Sequence, residues 1–248
     1  MQIWFLFFLC RRIIFSSQLF PFPNSHCSLF TNLTYFCHTF SLCYHKKMLQ
    51  SIFIIFVVFF SMSVHELFHG LLAFKLGDPT AKIEGRLTLN PLKHIDPFGT
   101  IFLPLFLWIL TFGEGPIFGF AKPVPVNPLF FKDQKWGMLK VALAGPLSNL
   151  IVGIFFAFFA RFLPQNSTLF FLFYLISIYN FIFAFFNLLP VYPLDGFHIF
   201  SQLLPQRFYK IKIFLAQYGI LILLLILVFG LNIVYFFSEF LFSFIAGT

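Results

Sequence analysis

The chain has 248 residues, of which 60% are hydrophobic and only 10% charged. A water-soluble domain carries roughly 25% charged residues, so this composition excludes a soluble enzyme, a disordered protein and a secreted disulfide scaffold. The net charge of +8 does not indicate nucleic-acid binding, because the basic residues are scattered between apolar blocks. We therefore predict an all-α, polytopic integral membrane protein.

The first 47 residues differ in composition from the rest of the chain. All four cysteines precede Met48, whereas all eight acidic residues follow it. The charges of this stretch follow its first apolar run, which is the reverse of the order in a signal peptide. We predict that residues 1–47 are a non-native or unstructured N-terminal extension, and that residues 48–248 form a single membrane domain.

Apolar blocks after Met48 account for about five to six membrane segments. A helix needs roughly 20 residues to cross a bilayer core of about 30 Å. Helix is the expected state, because lipid offers no water to hydrogen-bond an open backbone. Prolines break the fourth block. The blocks are 50–76, 98–112, 138–160, 168–204 and 213–237.

The predicted topology depends on block 98–112, whose fifteen residues are few for a full span. If this block crosses, loops 77–97 and 113–136 lie on opposite sides of the membrane. The positive-inside rule then places loop 113–136 in the cytoplasm, together with the chain before residue 50. If the block is re-entrant, both loops share one face and every later segment is inverted.

The first block contains an HExxH motif, His65-Glu66-Leu67-Phe68-His69. On a helix, residues i and i+4 share a face, so both imidazoles can reach one metal ion. Glu66 is then close enough to take a proton from metal-bound water. Such groups are costly inside an apolar helix unless they are paired or coordinated. The structural alternative is a buried polar cluster that packs one helix on another.

A catalytic zinc site needs a third protein ligand. The metzincin pattern is excluded, because Leu72 and Lys75 occupy the positions where it requires glycine and histidine. Asp195 is favoured because two prolines and a glycine break the helix within 187–196, and broken helices at membrane depth line cavities. The candidates considered for the third ligand are Glu84, His94, Asp96, Asp195 and His198.

HELFH at 65–69 together with NLLPVYPLDG at 187–196 resembles the site-2 protease family of intramembrane zinc metalloproteases, peptidase family M50. The similarity covers about residues 48–212 and fits the short branch without a PDZ domain. One departure is Gly70, where the family usually has alanine. Further matching stretches are GDPTA at 77–81, GRLTLNPLKHIDPFGT at 85–100, GFAKPVPVNP at 119–128 and AGPLSN at 144–149.

The resemblance implies a role for six residues and one Zn²⁺ ion per chain. They are the zinc ligands His65, His69 and Asp195, the catalytic base Glu66, and Asn149 and Asn187, which hold the substrate backbone or the oxyanion. For each asparagine the alternative is a helix–helix hydrogen bond. The prolines of loop 122–127 also predict a rigid, extended segment.

The implied reaction is zinc-dependent hydrolysis of peptide bonds within or near transmembrane segments of membrane proteins. The expected partners are those substrates and the lipid bilayer, with no nucleic acid, and the expected location is the plasma membrane of a bacterium. A catalytically inactive scaffold is the first alternative, and the intact Glu66 argues against it. A transporter that uses the His/Asp site is the second, which the lack of internal repeats disfavours.

Overall fold

The computed structural model describes residues 3–4, 33–112 and 119–248, with side chains from residue 48 onward. The described chain consists of helices joined by loops, with two two-residue strands, β1 (Ile3–Trp4) and β2 (Gly119–Phe120), which pair antiparallel. The α-helices are α1 (Leu33–Lys75), α2 (Thr80–Ile83), α3 (Leu103–Leu110), α4 (Gly137–Ala160), α5 (Thr168–Asn187), α6 (Asp195–Leu203), α7 (Tyr209–Leu225) and α8 (Leu231–Ala246). Short 3₁₀ turns lie at Pro91–His94, Pro128–Phe130 and Gln206–Phe208, and π-helical turns at Pro97–Phe102 and Ile226–Gly230.

Four helical segments are long and apolar enough to cross a membrane: Met48–Lys75, Gly137–Ala160, Thr168–Asn187 and Gln206–Ala246. A shorter apolar helix, Pro97–Leu110, accompanies them. With α6, these make up the predicted segments, and the all-α polytopic membrane architecture is confirmed. The proposed extension at 1–47 falls largely outside the described residues and stays a prediction.

Helix α5 occupies the centre of the bundle and is buried along most of its length. It packs on α4 where Gly153 leaves space for the Phe181 ring, since a Cβ at residue 153 would lie 2.4 Å from Phe181 Cε1. Helices in lipid associate through such close contacts of small residues and through interhelical hydrogen bonds. The core therefore lies between α1, α4, α5 and α8.

Contacts between α1 and α4 show that these two helices are antiparallel. The carbonyl of Ser61 accepts a 3.5 Å hydrogen bond from Asn149 Nδ2. His69 Nδ1 donates to the Val141 carbonyl at 2.7 Å. His69 lies two turns after Ser61 in α1, whereas Val141 lies two turns before Asn149 in α4. The chain between α1 and α4 therefore begins and ends on the same side of the bundle.

The apolar segment Pro97–Leu110 leaves the bundle and the chain returns beside its own start. Thr100 Oγ1 donates to the Phe120 carbonyl at 2.8 Å. Gly99 faces the Phe120 ring, and a Cβ there would lie 2.3 Å from Phe120 Cδ2. The large side chains exposed along this segment are Phe98, Ile101, Phe102, Leu105, Phe106, Trp108, Ile109 and Leu110, and Phe112 just after it is also exposed.

The expectation that block 98–112 crosses the membrane is therefore wrong, and the re-entrant alternative fits. The segment is too short for a full span, and the antiparallel α4 requires residues 77–97 and 119–136 to lie on one face. Gln202 Nε2 also donates to the Lys135 carbonyl, which brings the start of Gln206–Ala246 to that face. We call it the basic face, because it carries Lys82, Arg86, Lys93, Lys122, Lys132, Lys135, Arg207, Lys210 and Lys212.

This topology predicts a specific labelling pattern for single cysteines in a cysteine-free background. Cysteines at Thr88, Gln134 and Gln206 should react from the same side, and a cysteine at Gln165 from the opposite side. By the positive-inside rule the first three should be protected in intact cells and react in inverted vesicles. A membrane-impermeant maleimide measures this, and labelling of residue 134 or 206 together with residue 165 would contradict the topology.

Candidate metal centre

The side chains of His65, His69 and Asp195 converge inside the bundle, where all three are buried. Their ligand atoms all lie within 4.8 Å of one another. His65 Nε2 is 2.9 Å from Asp195 Oδ2 and 2.9 Å from His69 Nε2, and His69 Nε2 is 3.2 Å from Asp195 Oδ2. The structure thus brings together the three residues proposed as ligands from the sequence.

The local sequence explains how these side chains meet. The two histidines are four residues apart on α1 and so share a face. Asp195 is the first residue of α6, after the break that follows α5. At Gly196 the chain passes so close to the end of α5 that a Cβ would lie 2.2 Å from the Leu189 carbonyl oxygen. Glycine at residue 196 therefore lets α6 begin beside α5 with its aspartate directed at the histidines.

The donor set fits a metal ion. His69 Nδ1 donates to the Val141 carbonyl, so in the neutral imidazole the Nε2 lone pair is directed at the centre. His69 Nε2 lies 3.2 Å from Asp195 Oδ2, which brings a nitrogen and a carboxylate oxygen together there. Two imidazoles with a carboxylate are typical zinc ligands.

Gly145 of α4 forms one wall of the centre. A Cβ at residue 145 would lie 2.4 Å from His69 Nε2 and 2.5 Å from His65 Nε2. Only glycine leaves the histidines in place. The stretch AGPLSN resembles the family, but its glycine was not predicted to lie against the metal ligands. The signal in the sequence was a glycine in the interior of a long apolar helix.

Glu66 follows His65 on α1 and is buried. Its Oε2 accepts a 2.9 Å hydrogen bond from the Val124 N–H. Its Oε1 has no hydrogen-bond partner within the described part of the chain. This second oxygen is therefore the atom that can accept a proton from a water molecule, while the first holds the carboxylate in place.

Val124 belongs to an extended loop that is fixed on both sides. Before it, the Lys122 N–H donates to the His94 carbonyl at 2.9 Å. After it, the Asn127 N–H donates to Asp78 Oδ2 at 2.7 Å. The hydrogen bond from Val124 to Glu66 is thus supported by two loop hydrogen bonds, those of Lys122 and Asn127, which lie outside the membrane helices. The sequence indicated an extended loop but not which backbone group it would present.

Both predicted substrate-binding asparagines are buried in the bundle. The Asn149 side chain interacts with His65, besides its long hydrogen bond to Ser61. Asn187 Nδ2 donates to the Phe183 carbonyl at 2.9 Å, whereas its Oδ1 has no partner among the described residues. The contact of Asn149 with α1 also suits a helix–helix role. Their substrate-binding function stays a prediction.

The other candidates for the third ligand do not join this group within the described residues. Glu84 is exposed in its loop, and Asp96 caps the π-helical turn by accepting from the Gly99 N–H at 2.7 Å. His94 Nε2 donates to a backbone carbonyl, and burial lowers the pKa of this histidine. His198 is half-buried on α6, one turn after Asp195.

Comparisons with known proteins identify the family of the chain. A family model described as Peptidase family M50 matches residues 163–229. YwhC of Bacillus subtilis (strain 168), whose name places it among the zinc metalloproteases, is 40% identical over 185 residues, covering 71% of this chain and 80% of the relative. Zinc metalloprotease MJ0392 of Methanocaldococcus jannaschii is 31% identical over 112 residues, which are 44% of this chain and 33% of the relative.

Rip2 of Mycolicibacterium smegmatis, also a zinc metalloprotease by name, is 26% identical over 170 residues, or 68% of this chain and 63% of the relative. No solved structure matches the chain. The chain belongs to peptidase family M50, the site-2 protease family. It is a zinc metalloendopeptidase and an integral membrane protein, as the sequence predicted.

Substitution of Gly145 tests the geometry of the centre. Gly145→Ala should lower the zinc content of the purified protein, because the new methyl group displaces one or both imidazoles. Atomic absorption on protein in detergent measures the metal. Gly230→Ala is the matched control, since a Cβ there comes no closer than 3.1 Å to a side-chain atom. Full zinc binding by Gly145→Ala would show that α4 does not confine the ligands.

Substitution of Asp78 tests the support of the loop. Burial acts to raise the pKa of Asp78, but hydrogen bonds from Thr80 and Asn127 outweigh it and hold the pKa below its ordinary value. Asp78→Ala should lower the free energy of unfolding at pH 7 by about 1–3 kcal/mol. Because the folded pKa is depressed, this stabilisation is complete above about pH 4 and is lost as pH falls through the folded pKa.

Thermal unfolding in detergent at several pH values measures the effect of Asp78→Ala. Glu84→Ala is the control, because that carboxylate is exposed in the neighbouring loop. An equal loss of stability in both variants at pH 7 would contradict a supporting role for Asp78.

Proposed function

We propose that this metalloprotease is an intramembrane endopeptidase that hydrolyses peptide bonds within or near transmembrane segments of membrane-protein substrates. The carrying observation is the depth of the convergent group His65, His69 and Asp195 in a membrane-crossing helix. His65 precedes the end of the segment Met48–Lys75 by ten residues, or about 15 Å at 1.5 Å per residue. A centre at that depth is suited to a peptide bond inside the bilayer.

His65, His69 and Asp195 would hold one zinc ion, which when bound polarises the scissile carbonyl and acidifies a water molecule. Glu66 Oε1 accepts the proton of that water and returns it to the leaving amine. The Val124 N–H keeps Glu66 oriented through Oε2 and leaves Oε1 for this transfer. The surrounding burial excludes bulk water from the histidines.

Substrate recognition in this proposal involves groups that lack full pairing. A transmembrane helix hides its peptide groups in its own hydrogen bonds, so it must unwind locally before cleavage. Asn149 and Asn187 would then bind the released backbone groups or the oxyanion. The buried Asn187 Oδ1, which has no hydrogen-bond partner in the described chain, supports a role in binding an N–H of the substrate.

The proposed location is the plasma membrane of a bacterium, with the basic face in the cytoplasm. The bacterial relatives in Bacillus subtilis and Mycolicibacterium smegmatis support this location. In this orientation the centre lies about 15 Å from the cytoplasmic end of α1, near the middle of a hydrocarbon core of about 30 Å. Substrates would be cleaved near the middle of the bilayer.

Variants of the ligands and the base test the mechanism. Glu66→Gln should retain zinc and lower cleavage by about 10²–10⁴-fold, since it keeps the shape but cannot accept the proton. His65→Ala and Asp195→Ala should lose both zinc and cleavage. New protein termini within transmembrane segments, identified by mass spectrometry in proteoliposomes with bacterial membrane proteins, report cleavage.

Asp133→Asn serves as the control, since this carboxylate lies in the loop before α4 and pairs with Lys140 at 2.6 Å. Unchanged zinc in Asp195→Ala would remove that residue from the ligand set. Cleavage by Glu66→Gln at the wild-type rate would reject the general-base mechanism. Retained zinc with no cleavage by the wild-type protein would favour an inactive scaffold.

A further inference from the structure

A second polar group lies in the bundle, away from the metal centre. Glu239 of α8 accepts hydrogen bonds at Oε1 from the hydroxyls of Tyr174 on α5 and Tyr235 on α8. The two hydroxyl oxygens are 3.2 Å apart. We call these three residues the tyrosine–glutamate cluster. The proposed proteolytic mechanism makes no use of it.

The cluster lies in the half of the bilayer opposite the basic face. Glu239 precedes Ala246, the end of α8, by seven residues, and Tyr174 follows Thr168, the start of α5, by six. These separations place both side chains about 10 Å below that membrane face. The ring of Phe170 packs on Phe242 with centroids 6.1 Å apart, which confirms that these two helix ends are level.

The carboxyl group of Glu239 has no cationic partner among the described residues. Their ion pairs involve Asp195, Glu84 and Asp133. Arg161 lies near Gly247, beyond the end of α8 and eight residues from Glu239. An acidic side chain inside the hydrocarbon region is costly and characteristically pairs with a basic group or serves a function. Two tyrosine hydroxyls supply hydrogen bonds to one oxygen but no charge.

The position of Glu239 on α8 makes this site accessible from lipid. Four polar residues of the helix each follow a buried residue, so they form a stripe about 100° around the helix from the buried side. The buried residues are Leu231, Val234, Ser238, Phe242 and Ala246, and the polar stripe consists of Asn232, Tyr235, Glu239 and Ser243. Beside the stripe, Phe236, Phe240 and Phe244 are 64%, 62% and 75% exposed. The stripe thus lies where the bundle meets the lipid.

We propose that this face of α8 binds a transmembrane helix of a partner protein that carries a lysine or arginine inside its membrane segment, with the cation paired to Glu239. Apolar surface alone does not drive association of helices in lipid, whereas interhelical polar contacts and close packing do. Charge complementarity selects the partner, because the described residues supply no cation to the carboxyl group. The exposed phenylalanines supply the packing surface around the ion pair.

Among residues 48–246, a second copy of the chain offers no basic residue at the depth of Glu239. Between residues 48 and 246, the basic residues of the four spans lie near their ends, as Lys75, Lys140, Arg161, Arg207, Lys210 and Lys212. In a copy with the same membrane orientation, Lys75, Lys140 and the three residues at the start of Gln206–Ala246 lie toward the basic face. Arg161 lies at the opposite membrane surface rather than at the depth of Glu239. None of the basic residues between 48 and 246 in a second copy therefore suits Glu239, and we assign the face to a different chain.

The experiment uses the full chain in liposomes and a synthetic transmembrane helix of leucine and alanine as the probe. The peptide carries one lysine about 10 Å from the end that lies at the face opposite the basic face, and its control carries norleucine there. Energy transfer between labelled protein and labelled peptide measures association. The lysine peptide should bind about tenfold more tightly than the norleucine peptide. Glu239→Gln should remove this preference, and Ser243→Ala, one turn along the stripe, should keep it.

Equal binding of the lysine and norleucine peptides by the wild-type protein would by itself overturn the proposal. A lysine preference that persists in Glu239→Gln would also overturn it. Thermal unfolding and zinc content of Glu239→Gln, unchanged from wild type, would show that the lost preference reflects the ion pair and not the fold. Energy transfer between labelled copies of the chain that disappears in Glu239→Gln would assign the face to self-association instead, which contradicts the proposal.

Discussion

The close approach of α1 and α4 at Gly145 is the contact on which the rest of the structure depends. Because residue 145 has no side chain, α4 lies near enough for the Val141 carbonyl to bind His69 Nδ1. That hydrogen bond sets which nitrogen of His69 faces Asp195. The same contact fixes the antiparallel direction of α4, and with it the face on which the intervening loops lie.

Polar residues in this apolar chain form hydrogen bonds that join elements distant in the sequence. Glu66 joins α1 to the loop at Val124, and Asn180 Nδ2 donates to Ser61 Oγ at 2.9 Å, which joins α5 to α1. Helices that are inserted in lipid but not yet associated are already shielded from water. Packing and polar contacts therefore decide which helix faces meet. Few polar residues are available, and the structure places most of them at helix contacts or at the metal centre.

The sequence was sufficient for the ligand set but not for the topology. The spacing of His65 and His69 follows from helical geometry, and the break before Asp195 is evident from its prolines and glycine. The direction of α4 was not evident from the sequence. The fifteen residues of block 98–112 have the same hydropathy whether they cross the membrane or re-enter it. The contact of Val124 with Glu66 could not be predicted from the sequence either. The group involved is a backbone N–H, which every residue except proline carries. The last span extends to Ala246, whereas the predicted block ended at residue 237. The prediction ended early because the charged Glu239 interrupts the hydrophobic run.

The separation of the ligands along the chain has a consequence for biogenesis. His65 and Asp195 are 130 residues apart, and the loop with Val124 lies between them. Because membrane helices enter the bilayer in the order of synthesis, the two histidines are in place long before the aspartate emerges from the ribosome. A nascent or truncated chain that ends before α6 has the HExxH helix but no third ligand. Proteolytic competence is thus acquired late in translation, which limits the time in which an unfinished enzyme can damage its neighbours.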